Sequence, residues 1–162
     1  MTETERLMDE LARAHDGDPW HGSSARTVLA GVSAPQAAAR PIPGAHTIWE
    51  IVLHVTGWRR EVARRLDGGA PALPASGDWS PMPSPATDDA WSRTLDAFDS
   101  AQRELIAAVA RSDPRRLDQL VGGGRSPELG IGVSWYVMLH GVSQHNAYHS
   151  GQVALLRKLA RD

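Results

Sequence analysis

The chain contains no cysteine. Disulfides, thiolate nucleophiles and every cysteine-containing zinc site are thereby excluded, and imidazole and carboxylate must hold any transition metal. An excess of one charge is also missing. The 17 basic and 19 acidic side chains are interspersed, for a formal net charge of -2, and no Lys/Arg block is present to meet nucleic acid or an anionic membrane. No apolar run approaches the length of a membrane span. The start, "MTETERLMDELARAH", is acidic and amphipathic, unlike a secretion signal. These absences lead us to expect a soluble, cytoplasmic protein with no nucleic-acid or membrane partner. Persistent strand alternation is absent too. Ala is abundant and β-branched runs are scarce, so the chain leans helical.

At 162 residues the sequence reads as one domain, 1–162, with room for a sizeable core. Four longer helical segments are separated by Pro/Gly punctuation. The first runs from about Glu3 to Ala14, with Leu7, Met8 and Leu11 on one side. A short helix from about Ser24 to Gly31 follows, and Ser33 can cap another whose first turn holds Pro35. The second main helix is "HTIWEIVLHVTGWRREVARRL". On it Ile48, Ile51, Val55, Trp58, Val62 and Leu66 fall within an arc of roughly 80°. A Pro-rich crossover, "PALPASGDWSPMPSP", leads to a third helix starting near Thr87, and Asp113-Pro114 begins a further short turn. After the loop "VGGGRSPELGIG", a fourth helix runs from about Val133 to the C-terminus. The expected fold is an all-α four-helix bundle with long crossover connections and short extra helices.

Two histidines, His145 and His149, lie in the middle of the apolar stripe of the fourth helix, with Met138, Val142, Val153 and Leu156. Unsatisfied buried polar groups cost about 1–3 kcal/mol each, and protonating both rings would set like charges side by side. A divalent cation resolves both costs by taking the ring nitrogens as ligands. Such a pair also occurs simply hydrogen-bonded to carbonyls or water, and "HNAYH" lacks the glutamate of the H-E-x-x-H motif. His54 sits at the edge of the inward stripe of the second helix and supplies a third nitrogen from a facing element. Three histidines leave coordination positions open, as catalytic sites do. His140 falls on the far side of the fourth helix. His15, His21 and His46 fall at a helix end or in connectors and read as surface residues, with His46 the nearest to a pocket.

"HTIWEIVLHVTGW" and "QHNAYHSGQVALLRK" resemble the two signature segments of the DinB-like superfamily, the damage-inducible metalloprotein bundles that include YfiT-type proteins. "PWHGSSARTVLAGVSAPQAA" is similar to that family's first connector. The resemblance implies a metal triad at His54, His145 and His149 holding one divalent ion per chain, Zn or Ni first, in a homodimeric bundle. It also implies a small-molecule substrate. Some relatives transfer low-molecular-weight thiols such as bacillithiol or mycothiol onto electrophiles, one branch isomerises maleylpyruvate, and many have no established reaction. The family name links such proteins to a stress response.

The reaction expected is therefore metal-dependent transfer of a thiol, an S-transferase activity. A metal-dependent hydrolase would use the same site, and a non-catalytic metal- or ligand-binding bundle is a further alternative. A bundle whose histidines are merely satisfied would bind no metal. No catalytic acid or base is assignable from sequence. Glu50 and Glu61 can reach His54 as hydrogen-bond partners, or can pair with neighbouring arginines. Gln152 lies beside His149 on the same helix. Tyr148 flanks the site or packs at an interface, and Trp58 walls the pocket or is core. "GGGRSPELG" lacks the Lys-Ser/Thr pair of a phosphate loop and reads as a flexible loop able to cover the pocket. Trp79, in the Pro-rich crossover, packs back on the bundle or marks a dimer contact.

Overall fold

The computed structural model describes residues 1–160; the last residues of the expected fourth main helix, 161 and 162, lie outside the described residues. Six α-helices are present among them: α1 (Glu3–Asp16), α2 (Ala25–Leu29), α3 (Ala34–Ala38), α4 (Ile48–Leu66), α5 (Asp88–Arg111) and α6 (Trp135–Leu159). No described helix is long and apolar enough to cross a membrane.

The helix starts are chemically marked. Thr2, Thr47, Thr87 and Ser134 each sit in extended backbone and accept the N–H three residues on, which satisfies a donor the helix itself leaves free. Thr2–Glu5, Ser33–Gln36 and Thr47–Glu50 complete reciprocal capping boxes. Caps of this kind contribute about 1 kcal/mol each. Asp113 caps a 3₁₀ turn at Pro114–Arg116, where the sequence predicts a short helical turn.

The four long helices close a ring: α4 packs on α5 and α6, and α1 packs on the same two. Their apolar residues form two clusters, one above the other. One joins α2, α3 and the start of α4 to Trp91 and Phe98 of α5 and to Val153 and Leu156 of α6. The other joins Leu7 and Leu11 to Val62, Leu66, Leu105 and Val109, and to Met138 and Leu139. Between them runs a band of buried polar residues that includes His15, His54, Arg59, Asn146 and His149.

Arg59 ties this band together. Its guanidinium lies over the Phe98 ring at 4.2 Å and donates to Asn146 Oδ1 at 2.7 Å and to the Phe98 carbonyl at 3.4 Å. It also donates to His15 Nδ1 at 3.2 Å, which leaves His15 Nε2–H to donate to Asp99 Oδ1 at 3.0 Å. Asn146 in turn donates to the Ala14 carbonyl at 2.7 Å. The network therefore reaches α1, α4, α5 and α6. His15, expected near the surface, is only 6% exposed; it sits at the last turn of α1, where that helix end is covered by α5. Burial, then the Arg59 charge, pushes its pKa down to about 3, so it is a neutral relay rather than an ion-pair partner.

The Gly-rich loop before α6 is held at both ends. Val121 N–H donates to the Val133 carbonyl at 2.9 Å, and Gly132 N–H donates back to the Val121 carbonyl. A further isolated bridge joins Ser126 to Ile131. At Gly132 φ is +88°, and a Cβ would approach Arg125 Cα to 2.9 Å, so only glycine fits the turn. The middle of the loop is tied to α4, where Arg65 donates to the Leu129 carbonyl at 2.8 Å.

Candidate metal centre

The i, i+4 spacing on α6 stacks His145 and His149 on one face, and α4 crosses that face with His54. The three rings meet through their Nε2 atoms: His54 to His145 is 2.9 Å and His149 to His145 is 3.0 Å. One ligand atom from each lies within 4.8 Å of the others, so the group could hold a metal ion.

The outer nitrogens fix the tautomers. His54 Nδ1 donates to the Asp78 carbonyl at 2.7 Å, and His149 Nδ1 donates to Gln152 Oε1 at 2.6 Å. In each neutral ring the proton is then on Nδ1, and Nε2 presents a lone pair. Both lone pairs point at His145 Nε2, which carries at most one proton. One of the two contacts is therefore unsatisfied in a protein-only arrangement. A cation at the meeting point satisfies all three. Two nitrogens each about 2.0–2.1 Å from a zinc-sized ion stand roughly 2.9–3.4 Å apart, for angles from 90° to tetrahedral. The observed 2.9 and 3.0 Å fall in that range.

The electrostatics agree. Burial, reinforced by the neighbouring rings and Arg59, pushes His145 down to about 3, and burial pushes His149 down to about 4. His54 is lowered by burial against the raising effect of Asp78. All three are neutral near pH 7, the state in which imidazole is a ligand.

Gln152 accepts from His149 Nδ1 and so orients that ring. Glu50 and Glu61 do not reach the triad, though Glu50 lies 3.6 Å from His46. Glu50 closes the Thr47 capping box and pairs with Arg40 at 2.7 Å. Glu61 is buried and accepts from Arg64, Arg65 and the Ala72 N–H. Its buried clasp with Arg65 anchors two loops, since Arg65 also donates to the Ala72 and Leu129 carbonyls. Asp78, from the Pro-rich crossover, is the acidic neighbour of the triad instead. Besides its carbonyl contact, its carboxylate accepts from Trp58 Nε1 at 2.7 Å and lies 3.3 Å from His54 Nδ1. Trp58 thus acts through its N–H.

Trp79, next in the chain, packs back on the bundle. Its rings stack on His54 at 3.9 Å and on His46 at 3.4 Å, so His46 covers the site from outside without being a ligand. The unusual Trp in a Pro-rich segment is the one sequence signal that could have drawn attention to Asp78. Tyr148 is 64% exposed, with its ring 5.0 Å from His149. His140 points away from the triad and pairs with Glu10 at 2.8 Å, linking α6 to α1, and His21 is exposed.

A cavity of about 600 Å³ adjoins the triad at His145. Trp58, Val62, Met138 and Val142 form apolar walls, and the Gly-rich loop contributes Arg125, Pro127, Glu128 and Ile131. The loop thus forms one wall of the cavity.

No curated protein and no solved structure gives a match to the chain. The family model of the DinB superfamily matches residues 20–153, which takes in all three histidines, Asp78, Trp79 and Gln152. With an all-helical bundle and a histidine triad joining its second and fourth long helices, the chain belongs to the DinB superfamily.

Proposed function

We propose that His54, His145 and His149 hold one divalent metal ion, Zn or Ni, and that the protein is a metal-dependent S-transferase joining a low-molecular-weight thiol to an electrophile. The observation that carries the metal site is the pair of Nε2 lone pairs aimed at a third Nε2. Such an ion, held by neutral imidazoles alone, would lower the pKa of a thiol or water toward neutrality. The absence of cysteine supports a nucleophile brought from outside, and the cavity at His145 supports a small-molecule partner.

The chain's own residues supply orientation and enclosure. Asp78 and Gln152 hold the outer nitrogens and so aim two of the three lone pairs. Trp79 and His46 screen His54 from solvent. Asp78 also lines the cavity and is the carboxylate best placed to accept the thiol proton. Sulfur then bonds to the electrophilic carbon as the leaving group departs with its electron pair. A homodimer belongs to the same reading. The exposed apolar residues Val137, Tyr148, Leu155 and Leu159 of α6 support it.

The first test is metal content per chain in tag-free protein, by plasma mass spectrometry, beside His149→Ala. Near one ion per wild-type chain and near none in the variant is the expected result. An empty wild type, even after incubation with zinc or nickel, overturns the proposal. Loaded protein is then assayed for coupling a small thiol to an alkylating dye; full loading without coupling favours the non-catalytic alternative.

A further inference from the structure

Two long helices treat water differently on their outer faces. α5 exposes Asp89, Arg93, Asp96, Arg103 and Glu104. Between Val137 and Leu155, every exposed residue of α6 is uncharged: Val137, Gln144, Tyr148, Gly151 and Leu155. Val137, Tyr148 and Leu155 are each at least half exposed. With Gly141, these residues stand four, three, four, three and four positions apart, within an arc of roughly 80°. A repeat of 3.5 residues is that of a helix packed along a second helix.

The order along this stripe is a separate observation. Val137 and Leu155, Gly141 and Gly151, and Gln144 and Tyr148 are each equidistant from position 146. A two-fold interface brings residue i to j and j to i. A copy of α6 laid antiparallel therefore meets its match: branched aliphatic on branched aliphatic, glycine on glycine, amide on phenol. Nothing inside the chain requires the two glycines. Both lie in a helix interior, where glycine is unfavourable, and a Cβ built on either would meet nothing within 4 Å. Facing each other, they let two backbones approach closely. Antiparallel helices also set opposite dipole ends together. With Leu159 at its end, the stripe would bury about 1,200 Å² summed over both copies, the lower bound for a stable interface.

We propose that two copies of this chain pair through α6, antiparallel and centred on position 146. Val137 and Gly141 also line the cavity beside His145. The pairing sets the partner subunit's Leu155 on Val137 and the partner subunit's Gly151 on Gly141, so each copy forms part of the rim of the other's cavity. This gives a geometry to the homodimer of the reading above and rests on that homodimer, but not on the metal or the reaction.

The chain lacks cysteine, so introduced thiols read the register directly. In this pairing Val137 and the partner's Val137 lie about 27 Å apart along the axis, beyond disulfide reach, whereas position 137 meets position 155. Val137→Cys, Leu155→Cys and an equimolar mixture allowed to exchange subunits are oxidised after chelator treatment. About half the chains of the mixture, the statistical share of mixed dimers, should become covalently paired, and neither variant alone should. Tyr148→Glu should sediment as a monomer with its melting temperature retained. A wild type that sediments as a monomer overturns this pairing and the homodimer together. A wild-type dimer whose mixture stays unlinked, whose Val137→Cys links to itself, or that survives Tyr148→Glu overturns this pairing and leaves the homodimer standing on another face or register.

Discussion

Two polar clusters share the band between the apolar halves of the bundle, and they are built on opposite principles. Around Arg59, donors meet acceptors: the guanidinium faces Asn146, His15 and a carbonyl, and only its Nε lacks a partner. Around His145, acceptors meet one another. Buried polar groups of the first kind hold helices in register without help, because nearly all their lost water contacts are replaced. A group of the second kind is incomplete until a cation arrives. Asn146 belongs to the first cluster and directly follows His145 of the second, so the satisfied network positions the unsatisfied one.

The comparison is broken most severely at Arg59. Arg59→Ala strips partners from His15 and Asn146, and should cost about 3–5 kcal/mol of stability in denaturant titrations, metal or no metal. Next comes the triad. Zinc at a hundredfold excess over its dissociation constant should raise wild-type stability by about 2.7 kcal/mol, reversed by chelator, whereas His149→Ala should not respond. A zinc effect equal in the two proteins would show that the ion binds elsewhere.

Gln152→Leu probes the support of the triad. Removing the acceptor from His149 Nδ1 frees that ring's tautomer, and zinc affinity in a competitive chelator titration should fall by roughly 10- to 100-fold. The smallest effect is expected at His15. The unfolded chain's His15 protonates near pH 6.5, but the folded one only near 3. Between those values the unfolded state binds more protons, so stability falls as pH falls through that window. Read only between pH 7 and pH 5, the upper part of that window, His15→Gln should flatten the acid side of the curve by about 2 kcal/mol. An unchanged slope would mean that His15 is charged in the folded state.

The legible part of this molecule is the part with a period. Helical spacing alone turns His145 and His149 into the apolar stripe and puts His54 at the edge of another, and the caps at Thr47 and Thr87 mark where those helices start. Asp78 was not legible, since a Pro-rich segment has no repeat from which to extrapolate a direction. Glu50 and Glu61 stay undecided in the sequence for a related reason. Spacing offers each carboxylate both His54 and a neighbouring arginine, and only the packed structure shows that Arg40, Arg64 and Arg65 take them. His15 shows the same limit, because burial at a helix end is decided by what packs over it.

The site also divides unequally along the chain. His145, His149 and Gln152 lie within two turns of one helix and form wherever α6 forms. His54 comes from 91 residues earlier than His145 and arrives only once α4 has docked. An ion held by all three would be a reversible staple across that long loop, and it would stabilise only the chain in which the loop is already closed. Full occupancy would then report completed assembly, because an isolated α6 could offer the ion only two of its three nitrogens.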